Sequence, residues 1–340
     1  MKDFIRIGVD IAKSVFHVHA LESEGGQIVT RKLNRAGMRK FFSSIGPCLV
    51  GMEACGSAHY WGRELRAFGH DVRLMPPAYV KAYVRRGKND AIDAAAACEA
   101  VSRPDMRFVP IKSEKQQATL MAHKTRDLLV KQRTMLVNCL RGCLAEFGLV
   151  AGKGIERVDD LIAKAGEATL PEMARQAAQV LIEQLEGLDA AIADLAKRIV
   201  KAHGRDEMVR LLKTAPGVRD FFATQAVASV SDPNAFKSGR DFSAWLGLTP
   251  RQVTTGGKPK LGGITKKGNQ ALRRLLVLGA TSLLKVAHMH KGAVGDWLKA
   301  IKARKPFKVA AVALANKLAR IVWAIMTRGE AFRAEAFARA

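Results

Sequence analysis

Five short apolar runs in the first 75 residues limit what this chain can fold into more than anything else in it. They fall at about residues 4–10, 15–21, 27–32, 48–53 and 71–75, each about the length of an ordinary strand. Gly25-Gly26 stands between the second and third as a hairpin-type turn. Helical patterns near residues 36–45, 57–69, 77–85 and 90–102 follow the third, fourth and fifth runs. Three strands in hairpin order, then helix–strand–helix–strand, give a mixed sheet with helices on its faces. The expected class is therefore α/β for this part of the chain.

Two of those runs end in an acid. Asp10 closes Phe4-Ile5-Arg6-Ile7-Gly8-Val9-Asp10, and Glu53 closes Cys48-Leu49-Val50-Gly51-Met52-Glu53. Asp90 and Asp93 stand three apart in Asn89-Asp90-Ala91-Ile92-Asp93-Ala94, at the start of an alanine-rich helix. That spacing puts both on one helix face, and strand ends plus a helix packed across them can converge on one point. Carboxylates so gathered repel one another unless a hard cation neutralises them, and Mg²⁺ takes oxygen ligands of this kind. Two such ions can clamp the attacking and leaving oxygens of a phosphodiester. Each acid also has an ordinary reading. Asp90 suits a helix N-cap, Asp93 suits the helix dipole, and a strand-terminal acid is often a solvated edge.

Charge points the same way. Among 340 residues, 56 Lys and Arg face 31 Asp and Glu, a net charge of +25, which implies a polyanionic partner, nucleic acid by default. No stretch of eighteen uncharged apolar residues marks a membrane span, and Met1-Lys2-Asp3-Phe4 leads into a strand without a signal-peptide pattern. A cytoplasmic, nucleoid-associated protein with no membrane partner is expected. The five cysteines, Cys48, Cys55, Cys98, Cys139 and Cys143, suit reduced thiols. His17 and His19 alternate on the second run and read as ordinary strand residues.

Beyond residue 112 the pattern turns helical. Residues 113–147 read as one long helix, with Met121, Leu128 and Met135 seven apart. Over residues 171–202, Leu181, Leu185, Leu188, Ile192, Leu195 and Ile199 alternate steps of four and three, a coiled-coil seam. The two helices can pair with each other as an antiparallel hairpin or with a second protomer. Residues 205–335 are expected to be helical, and Leu212–Val218 partly resembles the phosphate-holding turn of a helix–hairpin–helix. The expected domains are 1–112 catalytic, 113–203 a helical coiled-coil connector for assembly, and 204–340 a helical C-terminal domain.

Within that last domain lies a stretch with no acid between Asp241 and Asp296. It carries Arg251, Thr254, Thr255, Gly256, Gly257, Lys258, Lys260, Lys266 and Lys267, with Arg273 and Arg274 on the helix that follows. Glycines let a backbone approach a phosphate, and lysines, arginines and hydroxyls ligate it. A solvated loop usually mixes signs, so phosphate-backbone contact is the expected role.

The mixed sheet has the strand logic of the RNase H-like fold, and several segments in order resemble the DEDD-type insertion-sequence transposases. This family includes the Piv invertases and the bridge-RNA-guided recombinases. The likeness is carried by Gly8-Val9-Asp10-Ile11-Ala12-Lys13, Met52-Glu53-Ala54-Cys55-Gly56, Asn89–Ala94, Gly247–Gly268, Leu272–Leu276 and Val312–Arg320, and it spans nearly the whole chain. It implies a RuvC-like N-terminal domain with Asp10, Glu53, Asp90 and Asp93 binding Mg²⁺. It also implies a C-terminal serine nucleophile that links covalently to DNA, a homo-oligomer with a composite site, and in some members a structured guide RNA. The serine departs from the family pattern: Val253-Thr254-Thr255 stands before Gly-Gly-Lys here. Thr254, Thr255 or Ser243 is left to supply the hydroxyl. Two rivals share these features: a RuvC-like nuclease or junction resolvase in which water attacks, and a decayed element that only binds nucleic acid.

Overall fold

A computed structural model of the chain describes residues 3–84, 89–256 and 258–339. They divide into two compact units, Met1–Glu114 and Lys115–Ala340.

In the first unit, β1 (Arg6–Ile11), β2 (Val15–Leu21) and β3 (Ile28–Asn34) form a meander. Helix α1 (Arg35–Ser43), β4 (Leu49–Glu53), α2 (Ala58–Ala67) and β5 (Asp71–Met75) follow. The sheet order is β3-β2-β1-β4-β5, with β1 antiparallel to β2 and parallel to β4. Short α3 (Pro77–Val80) leads to α4 (Asp90–Ala100).

The seating of α4 decides everything that follows in this unit. Gly8 of β1 and Gly51 of β4 are register partners. A Cβ on Gly8 would meet the Ala94 carbonyl oxygen at 2.0 Å, and one on Gly51 the Val101 side chain at 2.6 Å. Only glycine lets the helix lie this close. Ala94, Ala97 and Cys98 match it with small side chains. On the opposite face Ile7, Val9, Val50 and Met52 pack with Phe42, Trp61 and Leu65. Gly8→Ala is expected to force α4 away from the sheet at a cost of about 3 kcal/mol or more, the upper end for overpacking, because the clash is with backbone. Urea melts that leave the midpoint unchanged would refute this.

The second unit opens with two long helices, α5 (Glu114–Ala145) and α7 (Glu172–Ala202), joined through α6 (Val158–Glu167). They pair within the chain. Leu140 and Leu144 share a cluster with Ala178 and Ile182, Val137 one with Leu185, and Arg133 reaches Asp189 at 2.8 Å. As residue numbers fall along α5 their partners rise along α7, so the hairpin is antiparallel. The first part of the seam, at Leu181 and Leu185, is thus occupied within the chain by α5.

Where α5 meets the rest of the unit, His123 is buried and its Nε2 donates to Thr224 Oγ1 at 3.0 Å. The Thr224 hydroxyl itself donates to Asp220. Burial pushes the imidazole down to about 4, against the opposing pull of Asp127. A base whose folded value is depressed contributes stability above its unfolded value and loses it as pH falls through the folded one. Lowering the pH from about 6.5 to 4 should therefore cost about 3 kcal/mol. Melts of His123→Gln should lose that slope; the same slope in the variant would assign it to other groups.

The remaining helices are α8 (Glu207–Lys213), α9 (Asp220–Ser229), α10 (Gly239–Trp245), α11 (Gln270–Lys285), α12 (Gly292–Arg304), α13 (Phe307–Arg328) and α14 (Ala334–Arg339). They enclose one core that includes Phe222, Phe242, Leu276, Leu314, Leu318 and Val322. Helix α13 is long and apolar enough to cross a membrane by composition; here Ala310, Leu314, Leu318 and Val322 are buried as its contribution to that core. The α8–α9 turn puts Gly217 against Gly279 of α11, where a Cβ on Gly279 would meet the Gly217 carbonyl at 2.1 Å. Helix packing accounts for the glycine that suggested a phosphate-holding turn.

Among the described residues of this unit, one segment forms strands. Residues expected in a loop of a helical domain form a hairpin of β6 (Pro250–Thr255) and β7 (Lys258–Ile264). The cause is local: Val253, Thr254 and Thr255 are β-branched and favour strand. The tight turn includes Gly256 at φ +56, backbone that favours glycine.

Candidate metal centre and nucleic-acid interface

Side chains two apart on a strand share a face. Asp10 and Glu53 follow Gly8 and Gly51 by two residues, so both carboxylates face α4 at the C-terminal ends of parallel neighbours. Helix α4 brings Asp90 and Asp93 in its first turn to the same region. Asp90 is not the N-cap, as its ordinary reading would have it. Asn89 takes that task, its side chain accepting from the Ala91 N–H at 3.0 Å, and the Asp90 carboxylate is left for other work.

A residue that sequence reasoning passed over completes the cluster. His17 pairs with Asp10 across the β1–β2 hairpin, and its Nδ1 lies 3.6 Å from Asp90 Oδ2. Asp10, His17 and Asp90 each offer a ligand atom, all within 4.8 Å of one another. The His17 Nδ1 is buried without a hydrogen-bond partner. The signal existed in the sequence, because folding the first run back about residues 12–14 sets residue 17 opposite residue 10.

Electrostatics mark the same spot. Burial pushes the Asp10 carboxyl above the usual range, and Asp90 and Asp93 push it further while His17 opposes them. Glu53 is pushed up by burial, then by Asp93 and Asp10. Asp93 thus acts on both Asp10 and Glu53, and Asp90 acts on Asp10. Carboxylate oxygens with one imidazole are a donor set that fits a divalent cation.

The basic segment of the second unit is presented by the hairpin. Arg251, Thr254, Gly256 and Lys260 are exposed on it, and Lys266 and Lys267 are exposed where it ends. Gln252 Nε2 donates to Thr254 Oγ1 at 3.2 Å, which orients that hydroxyl at the surface. Gly257 lies outside the described residues, and only the backbone of Thr255 and Lys258 is described.

Three other expected residues are placed differently. Ser243 is fully buried in α10, so its hydroxyl has no route to a substrate in this conformation. Arg273 donates to the Leu246 and Lys267 carbonyls, both at 2.9 Å, and ties the end of the hairpin to α10. Arg274 pairs with Asp127 of α5 at 2.6 Å. Both arginines hold the unit together before any phosphate arrives.

Comparison with known proteins bears on both regions. Residues 7–148 match a family of DEDD-type transposases of the IS110 kind, and residues 209–292 match the Transposase IS116/IS110/IS902 family. A Pseudomonas aeruginosa protein described as "Probable family 20 transposase" is 45% identical over 96% of this chain and 98% of its own length. The transposase for insertion sequence element IS1111A of Coxiella burnetii is 40% identical over 98% and 92%. That for IS1328 of Yersinia enterocolitica is 36% identical over 98% and 99%.

Proposed function

We propose that this chain, which belongs to the IS116/IS110/IS902 family of insertion-sequence transposases, cuts and rejoins DNA through a hydroxyl of β6 and a metal centre at Asp10, Glu53, Asp90 and Asp93. The observation that carries this reading is the Asp10–His17–Asp90 trio, whose ligand atoms lie within 4.8 Å of one another, with Asp93 raising both Asp10 and Glu53 beside it. Family membership implies DNA as the partner and a divalent metal; Mg²⁺ is the ion we assign. When bound, it supplies charge neutralisation at the scissile phosphate. The sheet order β3-β2-β1-β4-β5, antiparallel then parallel, supports an RNase H-like, RuvC-like reading of the first unit.

In the chemistry we propose, Thr254 Oγ attacks phosphorus and the P–O3′ bond breaks. The hydroxyl proton passes to solvent or a carboxylate, and the leaving 3′ oxygen takes a proton. The link conserves the phosphodiester, so a second hydroxyl can reverse it without ATP. The acids lie in one unit and the threonine in the other, so this reading requires them to meet at one phosphate, from one protomer or two. Met121, Leu128 and Met135 support a homo-oligomer: they lie seven apart on α5 at 70%, 54% and 69% exposure, a second seam that α7 leaves uncovered. The reading places assembly in residues 113–203 and target choice with a structured guide RNA, leaving this protein to read backbone and shape.

Denaturing gels of the protein with labelled element-end DNA test the reading. A metal-dependent, protease-sensitive adduct is expected. Free cleaved ends without an adduct would show that water is the nucleophile. One abundant structured RNA co-purifying with the protein would support guidance, and only mixed cellular RNA would count against it.

A further inference from the structure

At the root of the hairpin, a cleft of about 610 Å³ opens between the strand ends and the first turns of α13. Its walls are aliphatic: Pro250 and Ile264 from the hairpin side, Val309 and Val312 from the helix. Backbone at Gly262 and Gly263 forms part of the lining, and a Cβ added at Gly263 would meet nothing within 4 Å. Lys266 and Lys308, both exposed, bring positive charge to an otherwise apolar slot.

Two features fix the polar groups of this slot. Asn316 donates its amide nitrogen to the Leu248 carbonyl at 3.1 Å, which leaves its oxygen as an acceptor within the lining. Lys266 has φ +56, an uncommon conformation for a residue other than glycine. Hydrogen bonds from Thr265 N to Thr249 O and from Lys266 N to Gly247 O hold the backbone there. Strain of this kind concentrates at functional sites.

We infer that this cleft receives one unstacked nucleotide of a DNA strand. The chemistry is complementary at each part. Aliphatic walls take the faces of the base, the Asn316 oxygen can accept from an exocyclic amine, and Lys266 and Lys308 answer the phosphate. A wholly apolar occupant would have no use for the two ammonium groups, and a free phosphate none for the walls. Strand exchange needs a segment of DNA to leave its duplex stack, and a receptor at the hairpin root would hold that segment beside β6. The inference rests on the DNA-binding reading above and adds a site to it.

The test uses the full chain and oligonucleotides bearing 2-aminopurine, whose fluorescence rises when it leaves a stack. Wild-type protein is expected to give a rise at one position along the strand. Val309→Trp, at a residue 51% exposed, should fill the cleft without unfolding the unit, which thermal melting checks. It should abolish the rise and weaken binding by roughly 5- to 10-fold, about the value of losing the apolar contact between one base and the aliphatic walls; Val309→Ala should keep the rise. Binding by anisotropy with no rise, or a rise that survives Val309→Trp, would overturn the cleft while sparing DNA binding. No binding at all would overturn the functional reading itself. A rise with RNA alone, or a change in sedimentation of the DNA-free protein on Val309→Trp, would give the cleft to RNA or to a second copy and overturn the inference.

Discussion

Asp10→Asn is expected to abolish DNA cleavage, by ~10³-fold or more, while DNA binding holds within a few-fold. The size follows from removing a ligand whose cation supplies several kcal/mol at the scissile phosphate. Binding survives because the exposed lysines lie in the other unit. Asp93→Asn should behave in the same way, since Asp93 raises both Asp10 and Glu53. Asp10→Asn should also stabilise the metal-free fold, because the Asp10 carboxyl is raised. An acid raised in the folded state contributes stability below its unfolded value, about 3.9 for Asp, and loses it as pH rises through the folded value. At pH 7.5 the metal-free wild type therefore carries the whole penalty of the crowded carboxylates, and at pH 4 very little of it. Melting at both pH values, with and without Mg²⁺, checks the pair of effects. Mg²⁺ should raise the wild-type midpoint more at pH 7.5 than at pH 4, and should lose most of that effect on Asp10→Asn. A midpoint that falls in the metal-free variant at pH 7.5 would show Asp10 to be a structural acid.

The second large effect concerns the nucleophile. Thr254→Ala should eliminate the covalent protein–DNA product, and Ser243→Ala should leave it, because Ser243 is sealed within α10. Thr254→Ser should increase the adduct by roughly an order of magnitude: removing the methyl frees χ1 and opens the approach, and small misplacements at a reacting centre have effects of this size. Gln252→Ala should lower it, since Gln252 orients the Thr254 hydroxyl. Quantifying adduct on denaturing gels at equal DNA occupancy separates chemistry from binding. Full adduct in Thr254→Ala and none in Thr255→Ala would move the role one residue along.

The five strands were legible because buried strands write themselves locally, β2 as alternation and β1 and β4 as continuous apolar runs, and all five lie within two residues of their expected bounds. Helices α5 and α7 were legible for the same reason at a helical period. The hairpin β6–β7 was missed although its signals, three β-branched residues before Gly256, are equally local. Its glycines and lysines were read for their chemistry, and their turn geometry went unweighed.

What the sequence determined by itself is therefore the five strands of the first unit, the two long helices, the four acids at strand and helix ends, and the basic stretch free of acids. Tertiary structure alone decided which groups meet. Asn89 released Asp90 from capping, the hairpin register set His17 beside it, and glycines at positions 8 and 51 let α4 settle close enough to crowd the carboxylates. It also packed Leu181 and Leu185 of the seam against α5, buried Ser243, and engaged Arg273 and Arg274 within the protein. The division has a physical cause. Periodicity and propensity act over a few residues, whereas capping competition, register and the choice of covering face are settled by contacts between segments far apart in the chain.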